Sequence, residues 1–143
     1  MTDQARGRGL ELLPHRGTAR LLNEIVRWRR DFVEAIGEVS AAHPLASAEG
    51  APSLLGLELG AQAAAALEAL ERRASTGDQT PATGYLVRVH EATFLRSDLP
   101  IETPLCVTAQ LEGAAPPLAI YRITIAAGGI EFVRARLSTY RST

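Results

Sequence analysis

One run of residues restricts the fold of this chain more than any other: Leu54 to Leu70, LLGLELGAQAAAALEAL. Between Gly56 and Leu67 its only charged side chain is Glu58. A segment apolar on nearly every face forms a helix only if other elements surround it. Glu58, Gln62 and Glu68 interrupt the run, so it lacks the unbroken stretch of roughly 18 apolar residues expected of a membrane span. The spacing predicts a central helix over about 53–74, opened by Pro52-Ser53 and closed by Glu71-Arg72-Arg73, whose cations suit the C-terminal end of the helix dipole. Glu58 then either faces solvent or occupies a site that uses it. Burial disfavours the charged form of a carboxylate, and active sites recruit such groups.

Around this helix the apolar residues alternate. Arg20–Arg30 and Phe32–Val39 read as strands joined by a turn at Arg29-Arg30-Asp31. Residues 40–51 read as loop, and 75–83 as a polar loop. Four further strands follow, over Tyr85–Phe94, Leu105–Leu111, Leu118–Ala126 and Ile130–Tyr140, with Gly128-Gly129 as a hairpin turn between the last two. Two strands, one enclosed helix and four antiparallel strands make an α+β chain with a single core.

Length and charge agree with a single domain over residues 1–143, with 1–9 as a polar, flexible tail. The net charge is −1, which gives no general attraction to nucleic acid or to an anionic membrane. All 15 basic residues are arginine. The lone Cys106 alternates within a strand and suits an ordinary half-buried thiol. No leader-like apolar segment opens the sequence, and a cytoplasmic protein is expected.

Three separated stretches resemble the hotdog-fold 3-hydroxyacyl-ACP dehydratases. Leu12-Leu13-Pro14-His15-Arg16, followed by Leu21–Val26, is similar to the family's LPHR element and the strand after it. Leu54–Gln62 is similar to its helix start, where a carboxylate is followed four residues later by glutamine. Gly84-Tyr85-Leu86, leading into Phe94, is similar to its glycine-led strand. Within the family, His43-Pro44-Leu45 ahead of the helix most resembles a divergent branch associated with aryl-polyene and related polyketide-like pathways. Ser53 stands where the family usually has glycine.

The resemblance implies a hotdog fold, a curled antiparallel sheet wrapped around one long central helix. It implies dehydration of a 3-hydroxyacyl thioester to the trans-2-enoyl thioester, on acyl carrier protein and without a cofactor. Its sites lie between two subunits, so a homodimer or a heterodimer with another hotdog subunit is expected, with His43 of one chain near Glu58 of the other. The chemistry needs a base for the proton α to the carbonyl, an acid for the departing hydroxyl, and donors for the carbonyl oxygen. Histidine suits the base. A carboxylate in an apolar pocket suits the acid, and N–H groups at the helix start suit the oxygen. His43 and Glu58 are therefore the catalytic candidates, with Gly56, Leu57 and Gln62 on the substrate side and no metal.

Plainer roles compete. His43 can cap loop backbone, Glu58 can sit exposed at the helix start, and Gln62 can orient Glu58 or satisfy nearby backbone. His15 reads as structural, and His90 as structural or exposed. Arg27-Trp28-Arg29-Arg30 reads as a solvated turn, with Arg88 and Arg96 available to an acidic carrier protein. Two other activities share the fold: a non-catalytic subunit completing a heterodimer, and an acyl thioesterase.

Overall fold

The computed structural model describes residues 20–78 and 84–141. The expected tail and the stretch Leu12–Arg16 lie outside the described residues. The elements run β1 (Leu22–Arg29), β2 (Phe32–Gly37), β3 (Ala51–Pro52), α1 (Leu55–Thr76), β4 (Gly84–Phe94), β5 (Asp98–Leu99), β6 (Leu105–Ala115), β7 (Leu118–Ala127) and β8 (Ile130–Arg141). One antiparallel sheet has the order β1-β2-β6-β7-β8-β4, and α1 packs against it. This is the hotdog arrangement that the sequence predicts.

Alternation places one set of strand residues against the helix. Ile25, Val33, Ala35, Val107, Ala109, Ile123, Ile125 and Leu137 are buried with Leu59, Ala63, Ala66 and Leu67 of α1. The opposite face is polar. Arg27 pairs with Glu34 at 2.7 Å, and Glu112 takes both Arg122 and Arg136 at 2.8 Å. Arg27 and Arg29 also lie over the Phe32 ring, so the basic turn is stacked and ion-paired. Cys106 is half-buried against Glu34. Burial first, and then the Glu34 carboxylate, push its pKa up and keep the thiol protonated.

Helix and sheet meet so closely that two helix positions have no room for a side chain. A Cβ at Gly60 would lie 2.2 Å from Ile123 Cδ1 and 3.0 Å from its Cβ, and one at Gly56 would lie 2.8 Å from Val133 Cγ2. Gly60→Ala should gain about 1 kcal/mol of helix propensity and lose about 1–3 kcal/mol to overpacking against a β-branched neighbour. Net destabilisation is expected in denaturant titration. A more stable Gly60→Ala protein would mean that Ile123 yields freely.

Two expectations, for the start and the end of the helix, need correction. Pro52 does not open the helix. It pairs with Asp98 in the two-residue β3–β5 ladder, and α1 begins at Leu55. The helix runs to Thr76, where Gly77 in the left-handed region (φ 75°) returns its N–H to the Arg73 carbonyl. The expected burial of α1 on most sides is observed, with one stripe less covered. Leu54 before the helix is exposed, and Glu58, Ala61, Ala65 and Glu68 are only half-buried. They form one stripe on the helix surface.

Candidate functional site

Glu58 lies in the first turn of α1, on that open stripe. One turn on, Gln62 is completely buried. Its Oε1 accepts the N–H of Leu21 at 2.8 Å, and its Nε2 donates to Glu58 Oε1 at 3.2 Å. A buried amide must satisfy both ends. The Leu21 N–H fixes which end is oxygen, so the nitrogen faces the carboxylate. Gln62 thus bonds both to Glu58 and to the Leu21 backbone, so the two roles left open for it are combined in one side chain.

His43 sits in the turn between β2 and β3 and is half-buried. That turn is wound by hydrogen bonds from His43 N to Ser40 O, Ala46 N to His43 O and Ala42 N to Ser40 Oγ. Glu102, before β6, adopts a left-handed φ of 54° and accepts the Ala41 N–H at 2.7 Å. The His43 ring itself accepts the Leu45 N–H through Nδ1 at 3.0 Å. Within the single chain, Gln62 holds Glu58 and Leu45 holds His43, each from its own segment.

The helix start is differently made from expectation. The N–H of Gly56 bonds to Ser53 O at 2.8 Å, and that of Leu57 to Leu54 O at 3.0 Å. These two donors are used within the first turn. Gly56 provides close packing, and Leu57 lies in the core. Ser53 is the residue whose part was not foreseen. It is buried, its hydroxyl bonds to Arg96 O at 2.6 Å, and its N–H bonds to Ser97 O at 3.0 Å. The serine found in place of glycine anchors the helix start to the segment between β4 and β5. Its position beside a proline at a helix start was the only sequence signal.

A second polar cluster lies near the other end of α1. Glu68 Oε1 accepts the hydroxyls of Tyr121 at 2.8 Å and Thr139 at 3.2 Å. Burial, and then the Glu68 charge, push the Tyr121 pKa far up, so it remains a donor. Glu68 and Tyr121 border a groove of about 320 Å³ that Leu67, Leu111, Pro116 and Pro117 also line. In the sequence Glu68 shows only as a break in an apolar run. His90, read as structural, is hydrogen-bonded to Ser138. Arg88 and Arg96 are exposed. Among the described residues no group of His, Cys, Asp or Glu side chains could hold a metal ion, and no helix is long and apolar enough to cross a membrane.

The sequence matches the ApeP-like family, described as ApeP dehydratase, over residues 9–143. Among solved structures, the dehydratase heterocomplex ApeI:P from Xenorhabdus doucetiae matches with a TM-score of 0.83 at 18% identity, covering 94% of this chain and 91% of that one. A hypothetical thioesterase with coenzyme A from Streptococcus pneumoniae matches with a TM-score of 0.62 at 12% identity, covering 83% and 84%. The E. coli PaaI protein from the phenylacetic acid degradation operon gives 0.61 at 16% identity, covering 83% and 78%. No curated protein has a significant match.

Proposed function

Because the chain belongs to the ApeP-like dehydratase family, we propose that it dehydrates a 3-hydroxyacyl thioester on acyl carrier protein to the trans-2-enoyl thioester. The setting is fatty-acid or polyketide/aryl-polyene-type biosynthesis in the cytoplasm. The observation that carries this reading is the Glu58 carboxylate, hydrogen-bonded by a fully buried Gln62 on a helix stripe that the described residues leave half-buried. Acid–base chemistry needs a group held in one geometry and reachable by substrate.

The partner follows from uncovered surface. β4 ends the sheet order, and Leu86, Val87, Val89 and Phe94 along it are exposed. An apolar edge strand invites pairing with another strand. A second hotdog subunit against β4 and the open stripe would bury both and enclose Glu58. The solved ApeI:P structure is a heterocomplex, which supports a heterodimer and keeps a second reading, a non-catalytic subunit completing an active partner.

The test is incubation of a 3-hydroxyacyl carrier thioester with this protein, alone and with any second hotdog subunit that co-purifies with it. Enoyl product and free thiol are followed together. Enoyl formation is expected. Thiol release without enoyl product would make the chain a thioesterase. Dehydration only with the partner, unaffected by Glu58→Gln, would make it the non-catalytic subunit.

A further inference from the structure

The face of the sheet turned away from α1 carries two kinds of surface. Tyr121 and Leu137 are buried in the core, so their neighbours Ile120 and Ser138 point outward. One outward row is filled by polar and charged side chains. Glu91, Arg136, Arg122 and Gln110 lie in register across β4, β8, β7 and β6, and Glu112 holds both arginines at 2.8 Å. The next row is Arg88, Ser138, Ile120 and Gly113, and it is not filled. Arg88 is exposed, and among the described residues no carboxylate pairs with it. Ser138 is buried and hydrogen-bonded to His90. A Cβ at Gly113 would meet nothing within 4 Å. Register shifts flank the row, at Leu86/Arg88 and Val89/Glu91 on β4 and at Leu111/Gly113 on β6. Such irregularities bend a strand and raise its twist. The bent face forms a hollow of about 630 Å³, walled on its apolar side by Ala115, Leu118 and Ile120.

We propose that this hollow is a second binding site, for a medium-chain carboxylate taken from solution. Arg88 meets the anionic head, and the chain lies against Ile120 and Leu118 toward the open space at Gly113. An apolar wall with a few polar groups at one end is the usual make-up of a small-molecule site, and the volume lies in the usual range of roughly 300–1,000 Å³. Charge selects the ligand: a neutral chain would leave Arg88 without a counter-charge, and a short acidic peptide would leave the apolar wall wet. A strand added along the free edge of β4 extends the sheet sideways and does not cover this face. The hollow lies on the opposite side of the sheet from α1 and Glu58, so it goes beyond the dehydration reading and does not depend on it.

Decanoate, held below its micellar concentration, is the probe, titrated into the protein as it purifies. Calorimetry should find one site per chain. Arg88→Gln should weaken binding about tenfold or more, the scale of a lost hydrogen bond to a charged group, and 1-decanol should bind the parent as weakly. Gly113→Leu should remove binding by filling the hollow, with an unchanged melting temperature, because the added side chain has room. In amide spectra decanoate should shift Leu118, Ile120 and Ser138 and leave Ala61 and Ala65 unmoved. Absence of binding would overturn the proposal. So would equal affinity for decanoate and 1-decanol, or decanoate binding to Arg88→Gln or Gly113→Leu as tightly as to the parent. Shifts along α1 in place of the outer face would assign the chain to the Glu58 stripe and overturn the second site.

Discussion

Glu58→Gln is expected to lower dehydration by about 10²–10⁴-fold, the range for losing a general acid–base group, while leaving the melting temperature within a degree or two of the parent. The substitution is nearly isosteric, and its amide oxygen can still accept from Gln62 Nε2 as Glu58 Oε1 does at 3.2 Å. What disappears is the capacity to take and return a proton. Because Glu58 is half-buried and glutamine keeps its bulk, the substitution leaves no cavity. Turnover should therefore fall without a fall in stability. The comparison uses enoyl formation from a carrier-bound 3-hydroxyacyl thioester, with thermal melting on the same samples. Equal turnover by parent and Glu58→Gln would remove Glu58 from the chemistry.

Gln62→Leu should reduce both stability and activity. Gln62 is completely buried and is the acceptor for the Leu21 N–H, just before β1. Leucine has similar bulk but offers that N–H nothing, and a stranded buried donor costs about 1–3 kcal/mol. The bond to Glu58 is lost as well, so the total should approach about 3 kcal/mol, or roughly 10 °C in melting temperature for a domain of this size. Turnover per folded molecule should fall by about ten- to a hundredfold, less than for Glu58→Gln, because the carboxylate remains but is no longer oriented. An unchanged melting curve would mean that the Leu21 N–H finds another acceptor. Unchanged turnover beside a lowered melting curve would leave Gln62 with only a structural part.

Much of the architecture was legible because it depends on period. Alternation along Leu105–Leu111 and Leu118–Ala126 identified strands, and the apolar run at Leu54–Leu70 identified the enclosed helix. The carboxylate and its glutamine were also legible, since residues four apart share a helix face. The β3–β5 ladder was not. Two residues on each side carry no readable period, and the pairing joins Ala51 to Leu99 across the chain. The helix boundary shifted for the same reason. Pro52 is a reasonable first-turn residue by local rules, but its pairing with Asp98 takes precedence. The helix is buried on most sides, as its apolar run predicts, but the run does not say which side stays half-open. Ala61 and Ala65 are as apolar as Ala63 and Ala66, and composition cannot say which side the sheet covers.

The sequence by itself determined the fold class and the central helix, and placed a carboxylate and a glutamine four apart on it, because those depend on side-chain type and local spacing. Tertiary structure alone decided which hydrogen bonds those residues make. The direction of the Gln62 amide depends on an N–H 41 positions earlier. The hydrogen bond from Leu45 N–H to His43 Nδ1 depends on how its turn is wound, and the N–H groups of Gly56 and Leu57 are used within the first turn of the helix. A hydrogen bond has a direction and a distance, and both exist only once the chain has brought its two ends together.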